Sequence, residues 1–427
     1  MDEAVGGRPR RTEDAGIGTL LAGNGVRGVG MLLVFFTHLF LLADTAPDNN
    51  MRSYGWAAPL LGHIDLGLAA FFALSGYLIA RPFARAYVLN TPAPRLRSYV
   101  RNRVLRVVPA FYLFTALVLL RFGLDGTLES GHENTSGVLQ VLGQFLFVQG
   151  QTGGPAVVPI GPAWSIGAEV GFYVLIPIAS WLAFEVGSRL DGPQRRAALG
   201  IAAAGVAMLV SITLRAKGGN QYAFSWLTSP PAIMYVFMPG VAIALAEPLL
   251  AARLRGNPRP ARTIASAAFA FAAIAAIAYA VTDYDPRQTP IHHALGQRAL
   301  LAALCTGALI LGLLVLQLGT GGAPRLFANR LMLWMGERSY SFYLAHIWVL
   351  YEIDHALGDG ESLTTRVLIM AAVALPVTTA VAALSYRYVE RPFLERKRKV
   401  VAGGGADGPD GSGLPPDAHS VGVAARA

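Results

Sequence analysis

The chain has 427 residues, of which 54% are hydrophobic and 14% are charged, and its formal net charge is +9. A soluble globular protein usually has about 25% charged residues, so this composition excludes an ordinary soluble domain and indicates an integral membrane protein. Most of the basic residues lie in short loops between apolar segments, which is a pattern of membrane topology. We therefore expect the lipid bilayer, and no nucleic acid, as a partner.

Apolar segments of membrane length follow one another along the chain and predict an all-α fold, a polytopic bundle of about ten transmembrane helices. The expected spans are residues 26–43, 64–80, 104–122, 166–186, 197–214, 230–250, 263–281, 299–318, 339–353 and 366–386. They define a transmembrane domain over residues 26–393, preceded by a tail over 1–25. A disordered tail is expected over 394–427, basic at first and then rich in glycine and proline.

Arginine is concentrated in alternate loops, at residues 81–103, 187–196, 251–262 and 319–338, and after the last span. The loops between them are acidic or mixed, so the positive-inside rule places the arginine-rich loops and both termini in the cytoplasm. The apolar segment 138–148 is short, and counting it as a further span would move loop 187–196 outside. We therefore expect residues 138–148 to form a re-entrant or interfacial segment. The expected location of the whole protein is the plasma membrane, as a multi-pass protein.

The first span carries two side chains that are costly in lipid. Arg27 and His38 are eleven residues apart, so a helix points them within about 20° of each other and separates them by about 16 Å along its axis. Ionisable residues inside a membrane segment usually mark a functional site. A neutral imidazole suits proton removal from a hydroxyl, because its pKa lies near working pH.

Two later spans add charged candidates. Arg103 and Arg106 share a helix face at the cytoplasmic end of the third span, where they are placed to bind phosphates. Membrane topology alone also explains cytoplasmic arginines. Glu169 lies within a turn of the outer end of its span, and His38 lies about 8 Å from the outer end of the first. The two side chains are therefore expected at similar depth.

The remaining polar candidates have structural alternatives. Tyr343 and His346 are three residues apart in the ninth span, where they form either part of a site or a polar contact between helices. Ser75 and the glycine that follows it favour close helix packing. Glu390 favours a structural role, either as a helix cap or paired with an arginine near the last span.

Five stretches of this sequence stand in a fixed order: RGVGMLLVFFTHLF (27–40), GLAAFFALSGYLIA (67–80), RNRVLRVVPAFYL (101–113), PAWSIGAEVGFYVLIP (162–177), and GERSYSFYLAHIWVL (336–350) with SYRYVERPF (385–393). They resemble the motifs of the membrane-bound acyltransferase-3 family, the multi-span O-acyltransferases that modify sugars, cell-envelope polymers and macrolide antibiotics. The sequence departs from the family in one place, because Ala69 and Ala70 stand where an acidic residue often precedes the FF pair. Asp65 lies one turn earlier.

The resemblance implies that residues 26–393 form a transmembrane acyltransferase domain. Such an enzyme moves an acyl group, here expected to be acetyl, from acyl-CoA to a hydroxyl of a carbohydrate-containing or macrolide-type acceptor. Acyl-CoA is then the donor substrate, and no permanently bound cofactor is expected. No metal is expected either, because His132 and the pair His292 and His293 lack further ligands at a fixed spacing.

The resemblance also assigns roles to the candidate residues. His38 is the expected general base, and Glu169 is expected to orient it, to support its charge or to bind the acceptor hydroxyl. The expected donor site consists of Arg27, Arg103 and Arg106. The expected acceptor site consists of Ser75, Trp164, Tyr173, Tyr343 and His346.

Two other classes of function remain open from the sequence. In a transporter or flippase for a lipid-linked or small polar substrate, the buried arginine and histidine would line a substrate or proton path. In a non-catalytic membrane scaffold, the same residues would tolerate apolar replacement. Formation of a covalent product that depends on coenzyme A separates both from an acyltransferase.

Overall fold

The computed structural model describes residues 20–43, 66–122, 137–148, 162–187, 189–218, 226, 228–282, 291–358 and 360–396. Within these residues the regular elements are all helical, which confirms the predicted all-α class. Residues 1–19 and 397–427, parts of the predicted outer loops, Asp65 and His132 lie outside the described residues, as do the side chains of His292 and His293.

The α-helices of the described residues are α1 (Gly23–Ala43), α2 (Leu66–Leu89), α3 (Leu96–Phe122), α4 (Gly137–Phe145), α5 (Trp164–Gly187), α6 (Pro193–Gly218), α7 (Pro230–Ile233), α8 (Met238–Leu254), α9 (Pro258–Val281), α10 (Ile291–Thr320), α11 (Arg325–Ala328), α12 (Arg330–Glu337), α13 (Ser339–Leu357) and α14 (Leu363–Ser385). A 3₁₀ turn, Met234–Val236, joins α7 to α8, and a π-helical turn, Tyr386–Glu390, continues α14.

Eight of the described helices are long and apolar enough to cross a membrane, and α7 with α8, bent by 52°, adds a ninth if the pair is one span. The remaining expected span, residues 339–353, coincides with α13, a helix of 19 residues. Its apolar stretch is interrupted by His346, Glu352 and Asp354, which makes it more polar than the others. The short segment expected not to cross contains α4, whose nine residues extend only about 14 Å.

Several helices are longer than the sequence predicts, among them α2 and α3. Helix α2 continues past its expected end at residue 80 because Arg81 is held inside the bundle by Glu247, with both nitrogen–oxygen distances at 2.6 Å. The hydroxyl of Tyr77 donates to the same carboxylate at 3.1 Å. Helix α3 begins at Leu96, eight residues before its expected start, so the arginines of its first turns are helical.

Contacts along α13 fix its direction relative to α3. The hydroxyl of Tyr340 donates to the carbonyl of Val107 at 2.8 Å, and further along both helices Arg121 pairs with Glu352 at 3.1 Å. Residue numbers increase together along the two helices, so α3 and α13 are parallel. This agrees with the topology expected from loop charge, in which both run outward from the cytoplasm.

Glycines permit the closest helix crossings. A Cβ on Gly336 would lie 1.7 Å from the carbonyl oxygen of Asn24, which brings α12 against α1. A Cβ on Gly240 would lie 2.0 Å from the carbonyl oxygen of Ala73, where α8 crosses α2 beside Gly76. The expected close packing at Gly76 is therefore found, and any larger residue at Gly336 or Gly240 would force the backbones apart.

Two apolar cores flank the polar interior. One is built from α1, α12, α13 and α14 around Phe35 and Phe342, whose ring centroids are 5.9 Å apart. The other joins α2, α3, α5, α8 and α10, with Phe172 and Phe237 stacked at 4.2 Å. Helix α13, which carries Tyr343 and His346, contributes Phe342 to the first core and Leu344 to the second.

Candidate active site

The structure brings together two histidines that are 308 residues apart in the sequence. Nε2 of His346 lies 3.2 Å from Nδ1 of His38, and the ring centroids are 4.9 Å apart with an interplanar angle of 68°. His346 is 0% exposed, whereas His38 is half-buried. The sequence predicts both residues, but only the packing of α13 against α1 makes them a pair.

A tyrosine joins this pair to the start of α5. The hydroxyl of Tyr343 donates to the carbonyl of Pro162, which can only accept. The hydroxyl of Ser165, 2.6 Å from that of Tyr343, therefore donates to the Tyr343 oxygen. Tyr343 thus makes the polar contact between helices that the sequence offered as an alternative, and it lies next to His346, with ring centroids 5.3 Å apart.

Glu169 lies nearer to Arg27, and farther from His38, than expected. Its carboxylate accepts hydrogen bonds from Tyr173 at 2.8 Å and from Ser75 at 3.1 Å. Ser165, in the first turn of α5, contacts Tyr343 inside the bundle. Glu169 lies four residues further along α5, about 6 Å from that contact along the helix axis and toward Arg27. The place beside His38 that we expected for Glu169 is taken by His346.

The three predicted donor-site arginines share one electrostatic neighbourhood. The charges that act on Arg27 are those of Arg106, Glu169 and Arg103, with Tyr173 also close. Three guanidinium groups and one carboxylate therefore lie close enough to influence one another, which leaves a net positive charge inside the helical bundle. Such a cluster attracts an anionic ligand, and guanidinium groups match phosphate oxygens in geometry.

Aromatic rings hold Arg103 within this cluster. Its guanidinium lies over the ring of Tyr173 at 5.1 Å and over that of Tyr99 at 5.4 Å. The hydroxyl of Tyr99 donates to the backbone carbonyl of Tyr173 at 3.1 Å, which ties α3 to α5. Tyr173, expected to contact the acceptor, is therefore part of the arginine cluster.

The predicted acceptor residues are not all equivalent. Ser75, Tyr173, Tyr343 and His346 follow one polar column from the arginines to the histidine pair. Trp164 instead packs against Phe72 in the larger core, with ring centroids 6.3 Å apart. We accordingly assign Trp164 to the wall of the column.

Glu390 borders the arginine cluster from the last helix. The π-helical turn directs its buried carboxylate to α13, where it accepts from the backbone N–H of Ser341 at 3.1 Å and from the Ser341 hydroxyl. The charge of Arg106 acts on Glu390 as well. The structural role predicted for Glu390 is present, and π-helical turns of this kind are frequent at functional sites.

Ser165 and Tyr340 are site residues that the sequence analysis did not single out. Both stand in stretches that resemble the family, and the pattern around them gave no sign of their partners. Ser165 contacts Tyr343, and Tyr340 bonds the carbonyl of Val107 on α3. Contacts between distant segments cannot be deduced from helical periodicity, which describes one helix at a time.

Comparison with known proteins identifies the class of the chain. The profile of the acyltransferase-3 family, described as an acyltransferase domain, matches residues 22–387. The chain belongs to this family of multi-pass membrane proteins. No solved structure matches it.

Two curated relatives illustrate the similarity. "Putative peptidoglycan O-acetyltransferase YrhL" of Bacillus subtilis (strain 168) is 25% identical over 345 residues, which cover 77% of this chain and 50% of the relative. "Putative O-acetyltransferase SACOL0978" of Staphylococcus aureus (strain COL) is 22% identical over 355 residues, which cover 79% of this chain and 53% of the relative. The chain spans about half the length of the curated relatives it matches.

Proposed function

We propose that this protein transfers an acyl group, with acetyl expected, from acyl-CoA to a hydroxyl of a cell-envelope carbohydrate. The observation that carries this proposal is the polar column inside the bundle, which links a cluster of three arginines to a pair of histidines. Arg27 and His38 lie at its two ends, about 16 Å apart along α1. An anionic donor with a long flexible arm fits this arrangement.

The donor is proposed to enter from the cytoplasmic side, where the positive-inside rule places the start of α1 and of α3. Arg27, Arg103 and Arg106 bind its phosphates, and the stacking of Arg103 on Tyr99 and Tyr173 orients the guanidinium in advance. The pantetheine arm then extends along the column toward His38. Glu169 moderates the positive charge of the cluster and keeps Arg27 in place.

The reaction itself is proposed to take place at His38. An imidazole nitrogen of His38 removes the proton from the acceptor hydroxyl as its oxygen forms a bond to the thioester carbon. The carbon–sulfur bond then breaks, and the departing thiolate of coenzyme A takes the proton from the imidazole. The products are an ester and free coenzyme A, and the apolar cores around the site limit hydrolysis of the thioester.

The acceptor class is proposed from the relatives. One is named for peptidoglycan O-acetylation, and glycan hydroxyls suit a site with several hydrogen-bonding side chains, such as Ser75 and Tyr343. A macrolide-type hydroxyl is the second candidate. The proposed location is the plasma membrane, with both termini cytoplasmic.

Replacement of His38 in cells tests this function. His38→Ala should reduce O-linked acyl ester in the cell envelope by about 10²- to 10⁴-fold in rate, the usual contribution of a general base. His355→Ala is the matched control, because His355 is an exposed histidine at the far end of α13. Ester measured by mass spectrometry after mild alkaline release should fall only with His38→Ala. Wild-type ester levels in a well-expressed His38→Ala strain would contradict the proposed role.

A further inference from the structure

We infer that His346 is a positioning residue that, together with the carbonyl of Val34, holds His38 in the tautomer whose Nε2 takes the proton. The inference rests on the proposed acyl transfer. It is argued from the positions of the four ring nitrogens of His38 and His346 and of two backbone carbonyl oxygens. His346 is thereby distinguished from an acceptor-binding residue, because it acts through the imidazole of His38.

The backbone determines the protonation of each ring. Nδ1 of His38 lies 2.9 Å from the carbonyl oxygen of Val34, and Nδ1 of His346 bonds the carbonyl oxygen of Tyr343. A carbonyl oxygen can only accept a hydrogen bond, so each Nδ1 carries a hydrogen. In the neutral rings each Nε2 therefore holds a lone pair.

The contact between the rings agrees with this assignment. Nε2 of His346 lies 3.2 Å from Nδ1 of His38, so its lone pair accepts from the Nδ1–H that also faces Val34. The single Nδ1–H of His38 is shared by these two acceptors, the carbonyl oxygen of Val34 and Nε2 of His346, and no two hydrogens point at each other. The opposite tautomer of either histidine would direct a lone pair at a carbonyl oxygen.

The free nitrogen of His38 is then the base. Nε2 of His38 makes no hydrogen bond to the described part of the chain, and the residue as a whole is half-buried, so Nε2 is the nitrogen left for the acceptor hydroxyl. When Nε2 takes the proton, the ring becomes an imidazolium whose Nδ1–H is held by Val34 and His346. The proton then leaves from Nε2 to the thiolate, so the ring returns to its starting tautomer after each turnover.

This arrangement performs the function that a buried carboxylate performs in the serine hydrolase triad, where it holds the catalytic imidazole in one tautomer. The carboxylate of Glu169 is engaged by Ser75 and Tyr173 instead. A neutral imidazole is less costly than a carboxylate between two apolar cores, because it brings no charge that must be desolvated.

The test compares two replacements of His346 that differ in one property. His346→Gln retains an amide oxygen near the position of Nε2 and can still accept from Nδ1 of His38. His346→Phe retains a ring but no acceptor. Cell-envelope preparations with labelled acetyl-CoA give kcat and the donor KM, normalised to the folded protein recovered in detergent.

We expect His346→Phe to lower kcat by about 10- to 100-fold, the loss typical when the residue that orients a metal-bound imidazole is replaced. The donor KM should not change, because the arginine cluster is untouched. His346→Gln should regain most of this loss. Equal kcat values for the Gln and Phe variants would overturn the inference, as would a kcat of His346→Phe within about twofold of wild type. If His38→Ala is inactive, the proposed function stands whichever result the His346 variants give. If His38→Ala is active, the proposed function itself is contradicted.

Discussion

Removal of the arginines at the start of α3 should weaken donor binding far more than it slows the chemical step. Arg103 and Arg106 lie with Arg27 at the end of the column remote from His38. A hydrogen bond to a charged group contributes about 1.5–3 kcal/mol, and 1.4 kcal/mol is a tenfold change in affinity. Each arginine should therefore contribute about 10- to 100-fold to the donor KM.

The assay uses labelled acetyl-CoA over a wide concentration range, with Arg103→Ala, Arg106→Ala and the double variant. Arg103→Lys separates charge from stacking, because lysine keeps the charge but loses the planar contact with Tyr99 and Tyr173. Arg259→Ala is the control, since Arg259 is an exposed arginine of the predicted cytoplasmic face. An unchanged donor KM in the double variant, or an equal rise with Arg259→Ala, would refute the assignment of the cluster to the donor.

Three further outcomes test the fold. Glu247→Ala removes the carboxylate that pairs with Arg81 inside the bundle and should lower the free energy of unfolding by about 3–5 kcal/mol. The loss should be visible as a fall in the thermal midpoint in detergent, and an unchanged midpoint would show that the pair is not important for stability. Gly240→Val should prevent the crossing of α8 and α2 and abolish recovery of folded protein, whereas Gly205→Val, where a Cβ meets nothing within 4 Å, should be recovered normally. A single cysteine in place of Asp191 should react only with reagents applied from the cytoplasm, and labelling from outside would invert the topology.

The positions of the helices could largely be predicted from the sequence, because each apolar segment must satisfy its backbone internally in a membrane. Within the described residues each of the ten expected segments overlaps a helix, and residues 230–250 overlap the bent pair α7 and α8. The ends were less predictable where a charge is neutralised by a distant residue. Arg81 indicated a loop in the sequence, yet Glu247, 166 residues away, keeps it within α2.

The members of the candidate site were also largely predictable, but their pairing was not. The sequence indicated His38, Arg27, Arg103 and Arg106 through their cost in lipid and their resemblance to family motifs. The partner of His38 could not be predicted, since it depends on how α1 packs against α13. The expected depth of Glu169 was wrong because it assumed that α5 begins at the membrane surface, whereas it begins beside Tyr343.

The most direct test of the account follows the acyl group from donor to acceptor. The purified full chain, reconstituted in lipid, is given acetyl-CoA labelled in the acetyl group together with a cell-envelope glycan fraction. We expect labelled, alkali-labile ester on the glycan and an equal amount of free coenzyme A, with neither product formed by His38→Ala. Transport of label or substrate across the bilayer without ester formation would contradict the account and favour a transporter. Ester formation at the wild-type rate by His38→Ala would contradict the role of the histidine pair.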